Sequence, residues 1–314
     1  MKVAVTGSSG LIGTALVAAL RADGHEVARL VRAAPAAPDE IAWDPRAERG
    51  GLDPRSLDGV AAVVHLAGAG VADKRWTPGY QAEIRNSRVQ GTRALVSSLA
   101  AMAAPPGVLL AGSAIGWYGD TGGREVTESD PAGSGFLPGV VRDWEAAAAD
   151  AAQAGIRVVT LRSGVVLSHR GGILGRLLPL FRLGLGGRIG SGRQVMSWIA
   201  LSEWAAVARF LMGRADISGP VNLTTPSPVS NAEFTSALAA AVHRPAVMLV
   251  PVPALKLAVG GVSSDILSSA RVLPRRLLDE GYQFRHPGIA GALAAELSGG
   301  APVTRRPHRA RPPA

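Results

Sequence analysis

The residues best placed to do chemistry come first in the chain. Gly7-Ser8-Ser9-Gly10-Leu11-Ile12-Gly13 follows an apolar run and opens a helical pattern. Glycine permits positive φ and lets the backbone approach a phosphate closely. A helix start adds free amides and the positive end of its dipole. Ser9, Gly10, Leu11 and Ile12 thus offer N–H groups to an anion, and Gly13 lets the helix pack on the strand. The spacing G-x-x-G-x-x-G is one residue longer than the dinucleotide fingerprint, and its strand–turn–helix context gives it weight. A second strand ends at Leu30-Val31-Arg32. An acid there would bind the ribose hydroxyl of NAD, whereas Arg32 suits a 2′-phosphate. NADP(H) is therefore expected over NAD(H), with Val31 and Arg32 beside the adenosine. An exposed Arg in an Arg-rich chain is the plain alternative.

These residues need elements to hold them. Residues 2–6, 26–31, 60–66, 108–113 and 157–161 read as buried strands. Residues 11–22, 80–103 and 139–154 read as helices, the last stopped by Gly155. This alternation predicts an α/β fold with a doubly wound parallel sheet. After Leu167, glycines punctuate the chain. A strand (195–199), a helix (202–213) and a strand (220–223) read as a return to the first domain. Residues 231–243 form a capped helix, and 251–297 read as short helices. The expected layout is a nucleotide-binding domain over 1–167 with returning segments at about 195–225. A smaller C-terminal α/β substrate domain takes 168–194 and 226–298, and a basic disordered tail takes 299–314.

The chain has 314 residues, 47% of them hydrophobic and 18% charged, with no Cys. General disorder, disulfides, thiolate metal sites and a Cys nucleophile are excluded. No apolar run reaches spanning length and no signal segment is evident, so a cytoplasmic protein is expected. Four of the nine excess positive charges lie after Gly300, as Arg305, Arg306, Arg309 and Arg311. No aromatic interleaves with them, which argues against a nucleic-acid site. The six His show no metal-ligand spacing, and no G-x-S-x-G elbow is present. Expected partners are a small-molecule substrate and, as a homodimer, a second copy; no specific nucleic acid and no membrane are expected.

Further motifs carry a resemblance. They include His65-Leu66-Ala67-Gly68, Ser113 through Tyr118-Gly119, Asp143-Trp144-Glu145 and Arg162-Ser163-Gly164-Val165-Val166-Leu167. Others are Gly190-Ser191-Gly192, Ser197-Trp198-Ile199, Asn222 through Pro228, and Gly281-Tyr282-Gln283-Phe284. With the glycine loop, the chain resembles the extended branch of the short-chain dehydrogenase/reductase superfamily. It is similar in particular to the poorly characterised "epimerase family" oxidoreductases with a C-terminal domain of unknown function. The resemblance covers almost all of 1–298 and implies a Rossmann-type fold. It implies that Leu66, Ala67 and Gly68 run under the adenine half, and that Glu83 and Arg88 lie near the cofactor. Ser113 would stand beside the nicotinamide, and Arg162, Gly164 and Val165 at its ribose.

The superfamily's usual acid/base pair is Tyr-x-x-x-Lys, and this chain lacks it. Its tyrosines are Tyr80, Tyr118 and Tyr282, and no Lys lies between Lys74 and Lys256. The helix that should carry the pair holds Val141 and, one turn on, Glu145. Ser113, Tyr118 and Glu145 are therefore the candidate catalytic residues, each with a plain structural alternative. An NADP(H)-dependent oxidoreductase acting on a small carbonyl or hydroxyl substrate is the leading expectation. A non-catalytic NADP(H) sensor is the alternative, and a nucleotide-sugar epimerase ranks below both.

Overall fold

The structure is a computed structural model that describes residues 1–47, 51–253, 260–262 and 267–298. The expected basic tail lies outside the described residues. In chain order the elements are β1 (Lys2–Thr6), α1 (Leu11–Ala22), β2 (Glu26–Val31), β3 (Glu40–Ala42), β4 (Val60–His65), α2 (Pro78–Ala100) and β5 (Val108–Ala114). Next come β6 (Glu125–Val126), α3 (Phe136–Ala149), β7 (Arg157–Ser163), β8 (Val165–Leu167), α4 (Gly172–Arg182) and β9 (Gly187–Ile189). Then follow β10 (Val195–Met196), β11 (Trp198–Ala200), α5 (Leu201–Gly213), β12 (Gly219–Leu223), β13 (Val229–Ser230), α6 (Asn231–Ala241), β14 (Met248–Val250) and β15 (Arg271–Val272). Two further helices, Arg275–Asp279 and Ile289–Leu297, close the described chain.

Seven strands form one parallel sheet in the order β12-β7-β5-β4-β1-β2-β3. The order reverses at β1, whose neighbours are β4 and β2, so a crevice opens at its C-terminal end. Both faces are covered, which is why the central strands are almost wholly apolar. On one face Leu16 and Leu20 of α1 and Trp204, Val207 and Leu211 of α5 pack onto Val3, Val5, Val64 and Leu110. On the other, Leu95 and Leu99 of α2 and Ala148 of α3 pack onto Ala4, Val63 and Leu109.

The second unit has its own core of Leu174, Leu178, Phe181, Trp198, Phe234, Leu238 and Leu293. Four two-stranded pairs frame it: β8 with β11, β9 with β14, β10 with β13, and β6 with β15. The expected single strand over 195–199 is two short ones. Ser197 lies between them and turns its hydroxyl to the C-terminal segment, donating to Ala270 O and accepting from Val272 N. Helix α4 forms between the glycines that punctuate the chain after Leu167, a stretch to which the sequence assigned no element. It buries Leu174, Leu178 and Phe181 at helical spacing despite Pro179 within it. Helix α2 starts earlier than expected because Thr77 caps it and Pro78 occupies its first turn. Helix α6 begins with a capping box between Ser230 and Glu233. Among the described residues no helix is long and apolar enough to cross a membrane.

Candidate functional site

The glycine loop is built as the spacing requires. Gly7 has φ +66°, and a Cβ there would meet Leu66 C at 2.8 Å. A Cβ on Gly13 would lie 2.1 Å from Gly7 O and 2.8 Å from Ser8 Cα. Glycine at both positions is therefore a steric necessity. Gly10 N–H donates to Gly7 O at 3.0 Å, closing the turn. No side chain caps the start of α1, so the first-turn amides at Leu11 and Ile12 remain for a ligand. Ser9 and Gly10 are exposed, while Ser8 is buried. Such a cradle fits a pyrophosphate. The loop at Gly171-Gly172 in the second unit packs against the Leu11 side chain, bringing that unit over the cradle.

A buried polar staple holds the neighbouring strand end. Thr6 Oγ1 accepts from Leu66 N–H at 3.0 Å and Ala67 N–H at 3.1 Å. It also lies 2.7 Å from His65 Nδ1, and His65 Nε2 lies 3.0 Å from Thr92 Oγ1. With both Thr6 acceptor sites used, the Thr6 proton goes to Nδ1 and the imidazole Nε2–H donates to Thr92. Burial pushes the His65 pKa down to about 4, so the ring is neutral at pH 7. Leu66, Ala67 and Gly68 thereby flank Gly7 along the crevice.

Arg88 stands behind this segment. Its Nη1 donates to Ala69 O at 2.8 Å and Ile84 O at 3.1 Å, and its guanidinium lies 5.1 Å from the Trp144 ring centre. Burial lowers its pKa to about 10, and no carboxylate pairs with it among the described residues. Glu83 sits differently: it is exposed and pairs with Lys74 Nζ at 3.9 Å. Arg32 is exposed just past β2 and makes no ion pair among the described residues, while Val31 is half-buried.

Three strand ends then converge. Ser113 of β5, Arg162 of β7 and Asn222 of β12 share one register across the sheet. Ser113 Oγ donates to Glu145 Oε1 at 2.5 Å. Arg162 grips the same carboxylate with two parallel bonds, Nε to Oε1 and Nη2 to Oε2, both 2.9 Å. The pair is well desolvated, with side-chain exposures of 3% for Arg162 and 11% for Glu145. Arg162 Nη1 donates to Tyr118 OH at 3.0 Å, and Tyr118 OH donates to Asn222 Oδ1 at 2.8 Å. Trp117 covers Arg162, its ring centre 3.9 Å from the guanidinium carbon. Burial alone would lower the Arg162 pKa, but its bonds to Glu145 and that residue's charge raise it, so it is a fixed cation.

Ser113, Tyr118 and Glu145, singled out from the sequence, thus lie in one network. Their roles differ. Burial pushes the Tyr118 hydroxyl up to about 12, against the pull of Arg162. That hydroxyl already donates and accepts, so it is a structural link and poorly suited to proton transfer near neutral pH. Arg162, expected at a ribose, turns its guanidinium into the network. Gly164 and Val165 carry the chain from the sheet into the second unit: Gly164 N–H donates to Leu223 O and Val165 N–H to Ser197 O. A Cβ on Gly164 would lie 2.8 Å from Ser197 O.

Two members carried no assigned role in the sequence reading. Asn222 joins Tyr118 to Leu273 O through its Nδ2, at 2.9 Å. Glu128 accepts from Asn222 N–H at 2.9 Å and Arg276 N–H at 3.3 Å. It ties the C-terminal segment to the strand ends. Nothing local distinguishes Glu128 from a loop acid, so only the three-dimensional pairing shows its place.

The chain matches the "NAD dependent epimerase/dehydratase family" over residues 3–223 and a "Domain of unknown function (DUF1731)" over 250–296. It is 47% identical over 292 residues to epimerase family protein Mb2239 of Mycobacterium bovis, covering 93% of this chain and 96% of that protein. It is 37% identical over 299 residues to human epimerase family protein SDR39U1, covering 93% and 98%. A crystal structure of human SDR39U1 (isoform 2) with NADPH superimposes with a TM-score of 0.86 at 34% identity, covering 95% of this chain and all of that one. UDP-glucose 4-epimerase of Thermus thermophilus, in complex with NAD, shares the fold at a TM-score of 0.74 and 20% identity, covering 96% of this chain and 100% of that one. The glycine cradle, the strand-end network and these matches agree: the chain belongs to the NAD-dependent epimerase/dehydratase family, in its extended short-chain dehydrogenase/reductase form with a DUF1731 C-terminal region.

Proposed function

We propose that the protein is an NADP(H)-dependent oxidoreductase for a small carbonyl or hydroxyl substrate, with Ser113 and Glu145 in place of the Tyr–Lys pair. The observation that carries this reading is the 2.5 Å bond from Ser113 Oγ to a carboxylate that Arg162 grips with two parallel bonds. It lies at the C-terminal ends of parallel strands, where this fold class binds ligands. The cradle at Gly7, Ser9, Gly10, Leu11, Ile12 and Gly13 would hold the pyrophosphate of the dinucleotide. Arg32 would meet its 2′-phosphate, and the NADPH in the human relative's crystal structure supports that preference.

When bound, the nicotinamide would accept or supply the hydride. The protein's part is the proton. As a substrate hydroxyl releases its proton to Ser113 Oγ, the Ser113 proton passes to Glu145 Oε1. The reverse transfer protonates a carbonyl oxygen. Arg162 keeps Glu145 aimed at Ser113 through its two parallel bonds. Tyr118 and Asn222 hold Arg162 from behind.

The test begins with titration by NADPH and NADH of the wild type and Arg32→Ala. NADPH affinity is expected to fall in the variant with little change for NADH. Turnover of NADPH over a panel of aldehydes, ketones and quinones follows. Ser113→Ala should abolish turnover while leaving NADPH affinity within a few-fold. Turnover that survives Ser113→Ala overturns the relay. A second reading, an NADP(H) sensor without turnover, is favoured by the saturation of the Arg162–Glu145–Tyr118 network. Tight NADPH binding without oxidation of any substrate would select it.

A further inference from the structure

Six of the eight large apolar side chains that stand exposed among the described residues belong to one surface. They are Leu180, Leu183, Leu185, Val247, Met248 and Leu249. The backbone joins them. Leu185 N–H donates to Leu180 O, and Met248 N–H donates to Gly186 O. Met248 of β14 sits beside Gly187 of β9 in a parallel pair. Arg244 Nε donates to Arg182 O, fastening the other end. Scattered apolar residues on a surface need no explanation, but a contiguous set does.

The charged side chains of the two segments that build this set, residues 180–188 and 244–249, have one sign. Arg182, Arg188 and Arg244 are exposed and make no ion pair among the described residues. No acidic residue occurs between Asp150 and Glu203, or between Glu233 and Asp265. The two segments that build the surface therefore carry cations alone. A second copy on a two-fold axis would set these arginines against each other. The sequence after Gly300 has four arginines and no acid, so it offers these segments no counter-charge. Leu183 is 73% and Val247 81% exposed, so both protrude into solvent. Protruding aliphatics on segments whose charged side chains are exposed arginines match an interfacial membrane contact.

We propose that this surface docks on an anionic phospholipid bilayer, with Leu183 and Val247 entering the interface and Arg182, Arg188 and Arg244 at the headgroups. The proposal departs from the expectation of no membrane partner, which rested on the length of apolar runs. Insertion at the interface requires no spanning segment.

The experiment is co-sedimentation of the full chain with phosphatidylcholine vesicles, with and without phosphatidylglycerol. The wild type should sediment only with phosphatidylglycerol present, and less at high salt. Leu183→Glu with Val247→Glu should abolish sedimentation while circular dichroism and Tm are unchanged. Arg182→Gln, Arg188→Gln and Arg244→Gln should each weaken it about five-fold at low salt, at about 1 kcal/mol per basic residue. A variant with Arg305, Arg306, Arg309 and Arg311 changed to Gln should still sediment. Failure of the wild type to sediment overturns the proposal. So does binding that survives the Glu double variant but vanishes with the tail arginines. If vesicles are ignored and the Glu variant turns a dimer into a monomer, a second copy is the occupant and the proposal fails.

Discussion

Replacing Glu145 by Gln tests the central feature of the site. The carboxylate accepts three hydrogen bonds, from Ser113 Oγ at 2.5 Å and from Arg162 Nε and Nη2 at 2.9 Å each. Gln keeps the shape but offers one acceptor oxygen, so its amide must face a donor it cannot satisfy. More serious is the guanidinium, only 3% exposed, which loses the carboxylate that it hydrogen-bonds. Removing one member of a buried pair costs roughly 3–5 kcal/mol, because the remaining charge stays desolvated. At roughly 2–4 °C per kcal/mol for a large domain, Tm should fall by about 10 °C. Glu145→Lys should be worse, since it sets a second cation against Arg162. Glu145→Gln with Arg162→Met should recover part of the loss, because no buried charge is left alone. Urea unfolding followed by tryptophan fluorescence gives each free energy, and the four variants of the cycle give the coupling. NADPH affinity should hardly change, since the glycine cradle is built between β1 and α1 and Glu145 stands on α3. A Glu145→Gln protein within about 1 kcal/mol of wild type would place the pair in the range of solvated surface bridges and refute the argument.

Two other outcomes follow from the geometry. Gly13→Ala must push a methyl into Gly7 O, 2.1 Å from its ideal position, so the loop has to open; dinucleotide affinity should drop more than ten-fold, with a stability loss of about 1–3 kcal/mol, both read by titration and thermal melts. His65 is neutral and fully enclosed, with a folded pKa of about 4 against an unfolded value of 6.5. Because the unfolded chain binds the extra proton first, stability should be complete above pH 6.5 and fall by roughly 3 kcal/mol as pH drops to about 4. His65→Gln should flatten that slope, and an unchanged slope in urea titrations across this window would show that His65 is not its source.

The sheet was legible because burial on both faces writes continuous apolar runs, and β1, β4 and β5 are such runs. The glycine loop was legible because sterics leave no other residue at Gly7 and Gly13. Helix α4 was hidden by Pro179 and by flanking glycines, although Leu174, Leu178 and Phe181 keep helical spacing. The short strands of the second unit were hidden for a different reason. A two-residue strand such as β13 or β15 has no periodicity to read: β13 is set by its pairing with β10, and β15 by its pairing with β6 and by the buried hydroxyl of Ser197.

The site divides along the same line. Ser113, Tyr118 and Glu145 could be named one by one, yet their relation could not. It depends on β5, β7 and β12 lying side by side, which brings residues 113, 162 and 222 into register. That register also shows where the site keeps a cation in the absence of the usual lysine. A Tyr–Lys pair draws its cation from the helix, one turn from the tyrosine. Here the cation, Arg162, rises from the sheet, and the helix answers with an anion at Glu145. A lysine at that position would meet a buried guanidinium, so the two arrangements exclude each other. The loss of the lysine and the presence of Arg162 are therefore one change in where the site keeps its positive charge. Under the proposed reaction, the group offered to the substrate changes with it, from a phenol beside an ammonium to a serine beside a carboxylate.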